Sequence, residues 1–210
     1  MMKNTEWGAV AYLSHSRYGI DKEVNINNNS EYKTGYSAYP STDQSDCPGV
    51  FGDGGEYNAP YNTSVGYLAS TTGNITGVYD MSGGAYEYVA SYLNGEVGKS
   101  NFTNESLSNY DSKYFDVYNT NTEGIKLYKY RILGDATGEM SPIASKSFAD
   151  GQNRHFNAWY NDVSGFVTME NSWFHRGGYY GYGILAGQFD FSVYAGNSTQ
   201  NIGSRLVLAG

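Results

Sequence analysis

Trp7, Val10, Ala11 and Ser14 recur at helical spacing and predict a first α-helix over 4–14. Asn4 or Thr5 can cap its start, Glu6 suits its first turn, and Gly19 lies past its end as a stop. Trp7 belongs to the core on this reading. Residues 25–60 mix Asn, Ser, Tyr and Gly without period, which predicts a long surface excursion. A further helical turn is expected near 62–70. Residues 85–93 alternate in the manner of a strand, after turns marked by glycine pairs. Residues 99–118 form a polar loop with Phe102, Tyr110, Tyr114 and Phe115 as aromatic anchors. Another strand is expected over 127–133, a turn at 134–138, and short strands within 159–168 and from 173 onward. The outline is one α+β domain over 1–210, with one or two helices, many short strands and long loops.

Composition narrows what such a domain binds. The 210 residues carry a net charge of −8, and no basic patch stands out, so a phosphate-backbone partner is not expected. Charged residues make up 16%, and 22 Tyr stand against 9 Phe and 3 Trp. Tyrosine suits half-buried strands and wet interfaces, because one end is apolar and the other bonds water. No apolar run is long enough to span a bilayer, so direct membrane insertion is not expected. No signal peptide is evident, and the doubled Met1-Met2 is consistent with removal of an N-terminal anchor.

Candidate chemistry is sparse. Cys47 is the single cysteine, so there is no disulfide framework, and its turn-like Ser-Asp-Cys-Pro-Gly setting reads as an inert thiol. His15, His155 and His175 lack ligand spacing, so neither metal nor cofactor is expected. Asp43, Asp46, Asp53 and Glu56 read as a solvated acidic loop, without the spacing of a calcium-binding hand. Asp80 and Glu87 read as structural hydrogen-bond acceptors rather than an acid/base pair. Asn62, Asn74, Asn101 and Asn197 match the glycosylation acceptor pattern, which an Asn-rich chain produces by chance.

The informative stretch is His175-Arg-Gly-Gly-Tyr-Tyr-Gly-Tyr-Gly-Ile-Leu-Ala-Gly-Gln-Phe-Asp-Phe-Ser-Val-Tyr-Ala-Gly196. Its glycines mark turns and close backbone approaches. Large side chains spaced between them cannot all enter one core, and an exposed aromatic cluster signals recognition. Tyrosine gives rigid contact area at small entropic cost, and Gly, Ser and Asn adapt around it. In Gln188-Phe-Asp-Phe-Ser-Val, alternation points Phe189 and Phe191 inward and Asp190 and Ser192 outward. The competing reading makes the same residues packing on a two-sided strand.

Three segments carry a resemblance. Gly77-Val-Tyr-Asp-Met-Ser-Gly-Gly-Ala-Tyr-Glu-Tyr-Val89, Trp173-Phe-His-Arg-Gly-Gly178 and Gly203-Ser-Arg-Leu-Val207 resemble, in order, three motifs of formylglycine-generating-enzyme-type domains. That resemblance implies a C-type lectin fold of two helices, antiparallel strands and extensive loops. The enzymes of the family carry a cysteine pair near the C-terminus, and this chain has no cysteine after 47. Gly84 and Tyr86 also replace the family's Asn and first Trp. The chain is more similar to the non-enzymatic branch, the variable proteins of diversity-generating retroelements. In those, adenine-directed mutation diversifies the C-terminal segment of a fixed scaffold.

On that resemblance 173–208 is the variable display segment. Its scaffold is Trp173, Arg176, Gly177, Gly178, Gly183, Ala186, Gly187, Phe189, Phe191, Gly196, Gly203 and Arg205, with both arginines bonding carboxylates or carbonyls. Its ligand-binding positions are His175, Tyr179, Tyr180, Tyr182, Ile184, Leu185, Asp190, Ser192, Val193, Tyr194 and Asn197. The expected function is a non-catalytic adhesin or receptor-recognition domain, extracellular, on a bacterial surface or phage particle. Its partner would be a protein or a surface glycan. An enzyme of altered chemistry and a fixed tail or pilus module are the alternatives.

Overall fold

The computed structural model describes residues 1–38, 59–119, 132–137, 154–156 and 158–207. The expected strand at 127–133, Cys47 and the acidic loop with Asp43, Asp46, Asp53 and Glu56 lie outside these residues, Leu133 and Ile132 excepted. The described chain is α+β, with helices α1 (Asn4–Ser14) and α2 (Asn104–Ser108). Its strands are β1 (Tyr86–Leu93), β2 (Asp116–Tyr118), β3 (Arg154–Phe156), β4 (Val163–Gly165), β5 (Trp173–Arg176), β6 (Phe191–Tyr194) and β7 (Ile202–Ser204). A 3-10 turn at Gly66–Ala69 meets the expected helical turn.

The strands form one mixed sheet in the order β2-β1-β5-β6-β4-β3. β5 runs antiparallel to both β1 and β6, while β4 runs parallel to β6. β7 and β2 both pair parallel with β1, β7 at Tyr86–Tyr88 and β2 at Ser91–Leu93. They therefore share the edge of β1 opposite β5.

Successive side chains of a strand point to opposite faces, and both faces of this sheet are covered. Phe174, Val89, Leu93 and Phe191 pack with Trp7 and Ala11 of α1 in the main core. Trp173 and Tyr92 pack on the other face with Leu107 of α2, Val97 and Phe115. This double cover corrects the reading of 99–118 as a plain polar loop: α2 and β2 lie within it. Thr103 caps α2 by accepting from Ser106 N at 3.0 Å. Tyr110 and Tyr114 are exposed rather than anchoring, and Phe115 packs against the Tyr92 ring at 5.9 Å.

The start of α1 is capped from a distance. Lys3 N donates to the Glu6 carboxylate at 2.7 Å, while Thr5 N and Oγ1 donate to Asp116 at 2.7 and 2.9 Å. A carboxylate here also meets the positive end of the helix. Neither expected cap serves as one. Asn4 instead lies buried inside the helix, donating to Tyr118 Oη at 2.9 Å and accepting from Arg176 at 3.2 Å.

The expected surface excursion over 25–60 is corrected at its start, while residues 31–34 are exposed as expected and 39–58 lie outside the described residues. Val24, Ile26 and Asn25, Asn27, Asn28 and Asn29 are all buried. The polarity of Asn27 is absorbed locally. Asn27 N donates to Ser82 O at 2.8 Å, Gly84 N donates to Asn27 O at 2.7 Å, and the Asn27 side chain donates to Lys33 O and Asp80. Pairing of this kind makes burial of Asn27 tolerable, whereas the Oδ1 atoms of Asn25 and Asn28 are buried with no hydrogen-bond partner among the described residues.

Candidate functional site

The three sequence motifs converge on β1. Gly83 N donates to Gly177 O at 2.8 Å, and Tyr180 N donates to Gly84 O at 2.8 Å. Glu87 pairs through both carboxylate oxygens with Arg205, whose guanidinium also donates to Tyr79 O and Asp80 O at 3.2 and 3.1 Å. Glu87 thus holds an arginine, rather than accepting from backbone or facing a loop. Asp80 accepts from Asn27 and from Gly35 N, which keeps it structural. Arg176 is fully buried against Trp7 and donates to Asn4 and to Asp135 O at 3.3 Å. Both arginines are scaffold, as their sequence setting suggests.

Gly177 and Gly178 leave β5 with φ of 81° and 67°. A β-carbon at Gly178 would lie 2.6 Å from Ala186, so only glycine lets the chain turn there. The turn delivers Tyr179 to a 3-10 stretch, Tyr180–Leu185, which breaks at Gly183. Here the tyrosines meet. Tyr179 lies 5.4 Å from Tyr180 and 4.8 Å from Tyr182, centroid to centroid. Tyr86 of β1 lies beneath, 5.1 Å from Tyr179 and 5.4 Å from Tyr182. Tyr32 closes the far side, 5.2 Å from Tyr180 and edge-on. Tyr179, Tyr180 and Tyr182 are half-buried and Tyr32 is exposed. Edge-to-face contacts at these separations fix the rings against one another and leave part of each open.

The pairing register sorts the expected ligand positions by face. Tyr88 opposes His175, which opposes Ser192, and Trp173 opposes both Tyr92 and Tyr194. His175, Ser192 and Tyr194 therefore share the tyrosine face, while Val193 packs into the main core. Exposure separates them further. Tyr194 is 37% exposed, but His175 and Ser192 are buried at 4% and 1%. Asp190 is also fully buried, and its carbonyl accepts from Gly177 N. Phe189 and Phe191 do point inward, but the outward placement of Asp190 and Ser192 is corrected. Period-2 alternation assigns a residue to a face, and here the other face has its own cover. Leu185 and Asn197 are half-buried, and Asn197 O accepts from Tyr88 Oη at 3.1 Å. The side chains of Ile184 and His155 lie outside the described atoms.

Burial raises the Tyr179 phenol above its ordinary range, and Tyr182 and Tyr180 add to this. Burial likewise raises Tyr32, with Tyr180 contributing. Tyr88 is pushed up to about 12, chiefly by burial. These rings are neutral phenols at physiological pH, able to donate and accept while presenting an apolar face. Among the described residues no group of three or more His, Cys, Asp and Glu is placed to hold a metal ion. No described helix is long and apolar enough to cross a membrane.

Tyr32, Tyr86 and Tyr88 belong to this site and were not among the residues expected from sequence. Tyr86 and Tyr88 carried a signal, an x-Tyr-x-Tyr alternation that puts both rings on one face. Tyr32 carried none, because its loop, with φ of 56° at Tyr32 itself, has no period to read. Comparison with protein-family models, curated proteins and solved structures finds no match to this chain, so its geometry must carry the functional argument.

Proposed function

We propose that this chain is a non-catalytic ligand-binding domain of C-type lectin fold, recognising a protein or surface glycan outside the cell. It would act in adhesion or receptor recognition, on a bacterial surface or a phage particle. The single observation that supports this most is the half-open tyrosine face of Tyr32, Tyr179, Tyr180 and Tyr182 over Tyr86. A partner buried against these rings gains large apolar contact at little entropic cost, and their hydroxyls supply direction. Tyr194 and Asn197 flank the face. His175, Asp190, Ser192 and Val193 support it from below rather than touching ligand.

The diversification reading rests on the resemblance of the segment 173–208 to the C-terminal layout of variable proteins of diversity-generating retroelements. The test is the DNA flanking the gene. A reverse transcriptase beside a near-copy of the segment encoding 173–208, differing almost only at adenines, would support it. Complete flanking DNA without such a copy would sink diversification and leave a fixed binding module. The geometry adds a sharper expectation. Adenine differences should fall on codons for Tyr179, Tyr180, Tyr182, Tyr194 and Asn197, and spare those for Arg176, Gly177, Gly178 and Phe189.

A further inference from the structure

A cleft of about 310 Å³ is lined by residues of β1, β5 and β7, among them Tyr88, Trp173 and Ile202. Tyr88 joins it to the tyrosine face. Its ring lies 6.4 Å from His175, and it packs against the cluster of Tyr92, Leu107 and Trp173. The cleft walls include Tyr88, Phe102, Trp173 and Ile202, with Ser198 and Ser204 among its lining residues. Phe102 lies 5.9 Å from Trp173 and is 39% exposed, so an aromatic ring stands open beside a buried one. Both serines are exposed. No Asp, Glu, Lys, Arg or His side chain lines the cleft.

We infer that this cleft is a second binding site, which takes a neutral phenolic ring, such as a tyrosine side chain presented by a protein partner. The inference does not depend on the segment being diversified. Three chemical facts select that occupant. Ring walls favour an aromatic guest held edge-to-face or offset. A cationic guest would lose water with no carboxylate of the lining to meet it. A sugar ring carries hydroxyls around its whole edge, more than the side chains of Ser100, Ser198 and Ser204 can pair. A phenol brings one hydroxyl only, which the serine side can receive. The volume sits at the low end of small-molecule pockets, which suits one ring rather than a larger ligand.

The test is titration of p-cresol into ¹⁵N-labelled protein, followed by amide and indole resonances. Saturable shifts are expected at Gly196, Gly203, Ser204 and the Trp173 indole N–H. Phe102→Ala should weaken binding by about threefold to tenfold, the size of one lost ring contact. Ser204→Arg, at an exposed position, should obstruct the mouth and abolish the shifts while leaving the spectrum otherwise folded. Tyr180→Ala should leave p-cresol binding unchanged, which separates this site from the tyrosine face. No saturable shift at these positions would overturn the inference. So would unchanged binding in both Phe102→Ala and Ser204→Arg, or an equal response to methyl glucoside.

Discussion

The Tyr86 ring lies over His175 with centroids 4.1 Å apart, and His175 is 4% exposed as a result. A residue within the expected display segment is therefore a support for the rings above it. His175→Ala should open a cavity under Tyr86 and cost about 2–4 kcal/mol, in the range of large-to-small core changes. Tyr194→Ala, at a 37% exposed position on the same face, should change stability by no more than about 0.5 kcal/mol. Urea unfolding of the two variants checks this. A large loss for Tyr194→Ala, or none for His175→Ala, would reverse the assignment.

Glu87 and Arg205 tie β1 to the end of the chain, and the pair is mostly shielded from water. Burial raises the Glu87 carboxyl, and the guanidinium pulls it back down. Arg205→Met removes that compensation and leaves a buried carboxylate, which should cost about 3 kcal/mol. The double variant Glu87→Gln/Arg205→Met should cost less than the two single changes summed, by about 1 kcal/mol or more. Additive losses in the cycle would show the pair to be energetically idle.

Gly83 and Gly95 both have φ near +80°, at 76° and 83°, yet their surroundings differ. A β-carbon at Gly83 would lie 2.3 Å from Asn27 O, the same carbonyl that accepts from Gly84 N. At Gly95 it would meet nothing within 4 Å. Gly95→Ala should cost only the left-handed backbone penalty, about 1–2 kcal/mol. Gly83→Ala adds a backbone collision to the same penalty and should lose more than about 3 kcal/mol. Equal thermal shifts in the two variants would mean that the Asn27–Gly83 contact yields at no cost.

Much of the scaffold was legible because it obeys short-range rules. The boundaries of α1 match the helical run of Trp7, Ala11 and Ser14, and the Tyr-x-Tyr alternation sits in β1. Arg176 and Arg205 stood out as the isolated cations of the C-terminal motifs. The rest depended on what lies opposite in space. Alternation gave the face of Ser192 but could not show that both faces are covered, and the display reading of Val193 ran against the same alternation, which turns it to the main core. The run Asn25 to Asn29 reads as surface by composition, yet is buried, with Ser82, Gly84 and Asp80 meeting the polar groups of Asn27 at its centre. Tyr32 joins the binding face only through the fold. Five-residue α2 had no periodicity to offer, only the Thr103 cap.

Two buried acids, Glu23 and Asp162, contribute to the pH dependence of stability. Glu23 is 4% exposed, and neither of its carboxylate oxygens has a hydrogen-bond partner among the described residues. Burial raises its pKa from 4.5 to about 9, with the charge of Asp162 adding to the effect. Burial raises Asp162 from 3.8 to about 8, although the Phe189 N–H and the Arg176 charge oppose this. Both groups are thus protonated when folded and ionised when unfolded across the interval between those values. The folded state then binds more protons than the unfolded state, so stability falls as pH rises. Their contribution is complete below about pH 4 and is lost as pH passes through about 8 and then about 9. Each group accounts for up to about 1.4 kcal/mol per pH unit within its interval. Glu23→Gln removes one of the two titrations while keeping the shape of the side chain. Measured by urea unfolding at about pH 6, 7.5 and 9, its stability relative to the unaltered chain should move steadily in its favour as pH rises. A difference that stays constant across the three values would show that Glu23 is already ionised in the fold.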